Sequence, residues 1–256
     1  SERTIAIDIA KNYLEHLDSN AIIFSNGDND TYPIWFAQEV EGIRTDVRNV
    51  NMSLLGRAAY IDQIKKQVYE ASPVPHTLTH DFYKGDLGFA KIIGEKKKEN
   101  PQYTPIYKAI TQIENSKTCP RYIKIPLPKD SVNQEKRSWI KLKIKGDNLG
   151  PDKIALLDIL ANFNWERPLY FISSQQSLSA FDGIMQYIKR EGSVDRLVSE
   201  ISAGNNNLEK NYDLVMNKYN YGDFSDDNVN YDYYSDISMR GFRYPFMFTL
   251  QQTMKQ

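Results

Sequence analysis

The chain has 256 residues, and its 32 Lys plus Arg against 33 Asp plus Glu leave a formal charge of −1. That balance argues against a duplex nucleic-acid binder, which carries a strong basic excess. With 41% hydrophobic and 25% charged residues, wholesale disorder is excluded and a substantial core is affordable.

The single cysteine, Cys119, rules out an intrachain disulfide framework and a cysteine zinc site. It leaves the compartment open, because a periplasmic protein can lack disulfides. No apolar run approaches the roughly 20 residues needed to cross a bilayer. Ser1-Glu2-Arg3 leads directly into a helical pattern without a signal peptide, and the last periodic segment stops in mid-pattern at Gln256. Both ends read as those of a segment excised from a longer protein.

In chain order, Ile5, Ile9, Tyr13, Leu14 and Leu17 recur at helical spacing, and Asp18-Ser19-Asn20 ends the run. Ala21 to Ser25 suits a strand buried on both faces. Asn26-Gly27-Asp28-Asn29-Asp30-Thr31 reads as a tight polar turn, with Pro33 opening a helix that runs to about Glu41 and Gly42. Val47 to Leu55 is a second strand, so the segment is a βαβ unit of a parallel sheet.

Tyr60 to Ala71 predicts an amphipathic helix stopped by Ser72-Pro73-Val74-Pro75. Residues 76–120 read as an insertion with little regular structure. Tyr122 to Leu127 and Trp139 to Lys145 alternate as half-buried strands do, with Pro128-Lys129-Asp130 between them. A helix opened by Pro151, a strand over Pro168 to Ile172, a helix from Phe181 to Gly192 and another over Leu208 to Tyr219 follow. Residues 220–236 are acidic and tyrosine-rich, and Met239 to Met254 is a last, truncated helix. No repeat of fixed period is present.

The expected fold class is therefore α/β: a mainly parallel sheet with helices on both faces, built from Rossmann-like βαβ units and carrying irregular insertions. Residues 1–75 form the first βαβ portion, 76–150 the insertion with short strands, and 151–219 the second α/β portion of the same domain. Residues 220–256 hold the acidic tyrosine-rich segment and the terminal helix.

The turn after the first strand is the sharpest chemical feature, because ligands of open α/β sheets bind at strand carboxyl ends. Asn26, Asp28, Asp30 and Thr31 sit there, and Asp28-Asn29-Asp30 spells the Asp-x-Asp spacing by which two carboxylates can hold magnesium or manganese. The same residue types are favoured helix caps and turn formers. A phosphate cradle fits less well, since carboxylates compete with an anion for a helix N-terminus. Arg44 and Arg48 flank the second strand, either pairing with Glu39, Glu41 or Asp46 or facing an anion. Asn51, at that strand's end, joins the candidate ligand-binding set.

His76 and His80 are four apart but follow two prolines and form no His-Glu-x-x-His pattern; His16 stands alone. Ser173-Ser174 lacks a base, and nucleophile-elbow, phosphate-loop and dinucleotide motifs are absent. Trp165, in Asn164-Trp165-Glu166-Arg167-Pro168, is either a carbohydrate-stacking platform or core packing. The acidic tyrosine segment offers amphipathic contact surface but fails the calcium-loop template.

Several blocks together resemble a bacterial family of large polytopic membrane proteins of the protein O-mannosyltransferase-like type. These are Phe24-Ser25-Asn26-Gly27-Asp28-Asn29-Asp30-Thr31-Tyr32-Pro33-Ile34-Trp35, the stretch Gln38 to Arg48, Asn51-Met52-Ser53-Leu54-Leu55, Leu157-Asp158-Ile159, Asn164 to Phe171, and Tyr231-Asp232. The resemblance covers most of the chain in order and is weakest over 76–120. It implies a modular parent in a bacterial inner membrane, with this portion periplasmic and its membrane helices elsewhere.

In transferases of that type the catalytic carboxylate lies in membrane loops, so no catalytic residue is carried over. The expectation is a non-catalytic accessory domain without a cofactor. Its partners would be the membrane portion of its own parent chain and a protein or glycan acceptor, and not nucleic acid. The alternative is a stand-alone nucleotide-sugar transferase with a divalent metal on Asp28 and Asp30; a second alternative is an assembly scaffold.

Overall fold

The computed structural model describes residues 5–128, 139–202, 207–222 and 243–253. Helix α1 (Ile5–Leu14) precedes strand β1 (Ile22–Ser25), helix α2 (Asp28–Glu39) and strand β2 (Arg48–Asn51). A 3₁₀ turn, Met52–Leu54, leads to α3 (Ala58–Ile64) and the single turn α4 (His80–Tyr83). Next come β3 (Ala90–Ile93), β4 (Thr104–Pro105), α5 (Ile106–Ser116), β5 (Thr118–Pro120), β6 (Tyr122–Pro126), β7 (Trp139–Ile144) and β8 (Asn148–Leu149). The remainder is α6 (Pro151–Asn162), β9 (Leu169–Phe171), α7 (Ser174–Ser177), β10 (Phe181–Asp182), β11 (Ile188–Glu191), β12 (Val194–Leu197), α8 (Leu208–Asp213) with a π-helical turn to Lys218, and a helix over Arg243–Thr253.

The strands form a five-stranded sheet in the order β11-β12-β9-β1-β2, a four-stranded sheet β10-β7-β6-β4 and a three-stranded sheet β5-β3-β8. β1 lies parallel between β2 and β9, in register through Ile23 with Asn49 and Tyr170. Its apolar run follows from burial on both faces. Ile22 and Phe24 join the larger core with Val50, Phe171 and the α6 side chains Leu157 and Leu160. Ile23 faces a second cluster with Leu14, Leu17, Ile34 and Tyr170. Phe24 stacks on Phe171 at 4.9 Å.

The expected mainly parallel, Rossmann-like sheet is corrected by this topology, because all three sheets mix parallel and antiparallel pairs. In the five-stranded sheet the physical reason lies after β9. β12 returns antiparallel to β9 and pairs with β11 through the two-residue connection Gly192-Ser193. Gly192 has φ +59°, the left-handed value that suits glycine at the first position of such a turn. The helix expected from Phe181 to Gly192 is thus a short strand, a 3₁₀ turn and half a hairpin.

Four other elements differ from expectation. The second strand, expected over Val47 to Leu55, ends at Asn51 and passes into the 3₁₀ turn Met52–Leu54. α2 starts at Asp28 rather than Pro33, and Pro33 lies inside it. α3 stops at Ile64, and Val68 and Ala71 form an isolated bridge beyond it. The stretch 76–120 contains a regular amphipathic helix: Ile106, Ala109, Ile110 and Ile113 of α5 are buried at i, i+3, i+4 and i+7. The acidic tyrosine segment beyond residue 222, the connection at Lys129-Asp130, and the ends of the helix expected over Met239 to Met254 lie outside the described residues.

Candidate functional site

The carboxyl ends of the parallel strands β2, β1 and β9 leave the sheet at Asn51, Ser25 and Phe171. Beside them opens a cleft of about 400 Å³, walled by Asn26, Met52 and Ser53 from the strand ends, Arg57 and Asp86 from the loops, Pro151, Asp152 and Lys153 from the first turn of α6, and Gln176 from α7. Pro151 starts α6 at a position where its missing N–H is not needed.

The charges in the cleft are of both signs and already paired. Arg57 Nη1 donates to Asp86 Oδ2 at 2.8 Å, and Asp86 Oδ1 accepts the Ala58 N–H at 2.8 Å. The Ala58 N–H and the Arg57 guanidinium hold the Asp86 carboxyl below its usual range. Lys153 Nζ lies 3.0 Å from Asp152 and donates to the Gln176 carbonyl at 3.2 Å. Asn26 Oδ1 accepts from Ser177 Oγ at 3.0 Å, while its Nδ2 is buried without a partner among the described residues. The cleft can therefore donate and accept hydrogen bonds over a short distance, which suits a polyhydroxylated or peptidic ligand.

Of the residues predicted from sequence, Asn26 lines this cleft. Asn51 borders it in sequence, with its side chain accepting the Ser53 N–H at 2.8 Å and its own N–H bonded to Tyr60 Oη at 2.7 Å. Asp28 is exposed in the first turn of α2. Asp30 reaches back to the Asn26 N–H at 3.3 Å; burial pushes its carboxyl up and that N–H opposes the shift. Asp28 and Asp30 stand two residues apart in the first turn of α2, a spacing at which helical side chains do not face each other. Among the described residues, no group of three or more His, Cys, Asp or Glu side chains is placed to hold a metal.

The other candidates are engaged within the fold. Thr31 is buried, with Oγ1 2.7 Å from Ser25 Oγ, which bonds Asn49 Oδ1 at 3.0 Å. Arg44 sits at φ +47° and gives its guanidinium to the carbonyls of Leu14, Leu17 and Asp18 and to both oxygens of Asp46. Arg48 is buried and donates to the Gln63 carbonyl.

Trp165 Nε1 donates to the Pro126 carbonyl at 2.8 Å, and its ring packs 4.8 Å from Phe163. His76 is buried against Asp158, whereas His80 meets Asp62 at the surface, so the two serve different partners. Ser174 Oγ donates to Asp195, which also pairs with Arg190. The cleft residues that sequence reading missed, Ser53, Arg57, Asp86, Asp152, Lys153 and Gln176, come from four separate stretches. Only the Pro151 helix start flanking Asp152 and Lys153 carried a local signal.

The match to known families falls on this same body of chain. The chain belongs to the family described as TMEM260-associated domain 2, which matches residues 6–129 and 89–215. No curated protein and no solved structure matches. The domain is thus associated with a membrane-protein family. Among the described residues, no helix is long and apolar enough to cross a membrane.

Proposed function

We propose that this domain serves a protein O-mannosyltransferase-like membrane protein as a non-catalytic recognition module, holding an acceptor or a membrane loop of its own parent in the strand-end cleft. The observation that carries the reading is the cleft itself, with the orphaned Asn26 amide and the Arg57–Asp86 and Lys153–Asp152 pairs set around one opening. Mixed, already neutralised charge favours ligands rich in hydroxyl and amide groups over a bare anion, because a desolvated phosphate would have to displace the carboxylates. Family membership supplies the membrane-protein context. In this reading the parent occupies a bacterial inner membrane and the domain faces the periplasm, a placement that rests on the sequence blocks around Asn26 and Trp165.

The test uses the full-length parent with a photocrosslinking residue at Gln176. Crosslinks to an acceptor or to membrane loops, lost in Arg57→Ala, support the reading. Absence of crosslinks together with unchanged acceptor modification in Arg57→Ala and Lys153→Ala overturns it.

A further inference from the structure

The four-stranded sheet has two unlike faces. Ile123 and Ile125 of β6 and Ile140, Leu142 and Ile144 of β7 point into the core. The alternate positions, Tyr122, Lys124, Trp139, Lys141 and Lys143, point outward and are partly or fully exposed. Register places Lys124 directly opposite Lys141, and Lys143 opposite Tyr122. Like charges directly across an antiparallel pair repel.

Aromatic rings relieve part of that repulsion. Lys124 Nζ lies 4.3 Å from the Trp139 ring centroid and Lys141 Nζ 5.3 Å from that of Tyr103, which meets Tyr122 edge-on at 5.7 Å. Among the described residues, none of Lys124, Lys141 and Lys143 forms an ion pair with a carboxylate. The carboxylate in register beside them, Asp182 opposite Lys143, is held by Lys145 at 3.1 Å. Lysine stems do cover apolar surface in many sheets. Stem packing does not explain three ammonium groups without a carboxylate partner among the described residues, gathered on one face of a chain whose net charge is −1.

We propose that this face docks on the anionic surface of a lipid bilayer, with Lys124, Lys141 and Lys143 toward the headgroup phosphates and Trp139, Tyr122 and Tyr103 at headgroup level. Charge complementarity favours this occupant, since unpaired lysines near anionic lipid gain from its surface potential. Trp and Tyr are the side chains that partition to the headgroup layer. The domain is associated with a membrane-protein family, which keeps a bilayer close by. The docking face shares no residue with the cleft, so the two readings stand or fall separately.

Co-sedimentation of the 256-residue chain with vesicles of phosphatidylcholine, with or without phosphatidylglycerol, tests this. Binding is expected only to the anionic vesicles and is expected to weaken at high salt. The triple variant Lys124→Gln, Lys141→Gln, Lys143→Gln should lose roughly a hundredfold in partitioning. Trp fluorescence should shift to the blue on binding, a shift lost in Trp139→Phe. A melting curve confirms that the variants fold, and the exposed Lys141→Gln alone, with a several-fold loss, replaces the triple if it does not. Equal partitioning onto neutral vesicles, no partitioning onto either kind, or tighter binding to a single-stranded oligothymidylate than to anionic vesicles overturns the proposal.

Discussion

His76 Nδ1 lies 3.0 Å from Asp158 Oδ2, with both side chains shut off from solvent. The same carboxylate accepts the Thr77 N–H at 2.7 Å, the Thr77 hydroxyl at 2.7 Å, the Leu78 N–H at 3.2 Å and the Asn162 amide at 3.0 Å. One aspartate of α6 thus fastens the loop that leads out of Pro75. Burial pushes its carboxyl up, but the contact with His76 and the Thr77 bonds more than reverse this, so it titrates below its usual range.

Asp158→Asn replaces an acceptor with a donor facing the Thr77 and Leu78 N–H groups, and should cost about 3–5 kcal/mol in urea denaturation. Because the folded value is lowered, the wild-type contribution is fully present above the unfolded value of about 4. It is lost as pH falls through the folded value. The acid limb of the stability curve should therefore be shallower in the variant than in wild type.

His16 gives a pH dependence in a different window. Burial drives its imidazole down to about 4, against the opposing pull of the Glu191 carbonyl that its Nε2 meets at 3.2 Å. The unfolded chain takes up this proton near pH 6.5 and the folded chain does so only near 4. Stability should then fall as pH drops between these values, by on the order of 3 kcal/mol. His16→Gln should flatten that interval in thermal melts recorded across it, leaving the Asp158 interval in place.

Arg44 links the end of α1 to the approach to β2. It caps the Leu14, Leu17 and Asp18 carbonyls and grips Asp46 with two nitrogens, at 2.7 and 3.0 Å. The Asp46 carboxyl is held down chiefly by this guanidinium. Arg44→Ala should destabilise by about 2 kcal/mol. Arg44→Lys should recover less than half of it, because a point charge cannot replace the planar fork. Chemical denaturation of both variants checks the pair of expectations.

Gly192 occupies a left-handed backbone position, and a Cβ there would run into the Tyr219 hydroxyl. That hydroxyl accepts the Ser193 N–H at 2.7 Å. Gly192→Ala should lower stability by about 2 kcal/mol or more, whereas Ser193→Ala should cost less. A double variant with Tyr219→Phe tests whether the clash lies where the geometry puts it: the two losses should be less than additive.

Much of the local structure was legible before any coordinates. α1 and the β6 and β7 pair announce themselves by period, β1 by its short continuous apolar run, and α6 by its opening proline. α2 was harder, since Asp28, Asn29 and Asp30 serve equally as a turn and as the acidic first turn of a helix. α5 kept its apolar spacing, but Pro101, Pro105 and the tyrosines around it masked the signal. Phe181, Ile184 and Ile188 imitate a helix, and the Gly192-Ser193 dipeptide was the cue for a hairpin turn.

Strand direction was legible for β1 and β2, which the helix between them makes a parallel βαβ unit. Beyond them it escaped, because a strand's own pattern does not state which way its neighbour runs. That is why the sheet type failed although β1, β2 and β9 were placed. Asn26 was found because strand ends attract ligands. Its cleft neighbours Arg57, Asp86 and Lys153 meet only through tertiary closure and leave no spacing to read.

The position of β9 between β1 and β12 has a consequence for biosynthesis. β1 and β2 are both complete by Asn51, yet the third parallel member starts at Leu169. A nascent chain therefore exposes the bare edge of β1, with Ile22 and Phe24, until more than a hundred further codons have been read, an interval in which holdase chaperones have most to protect.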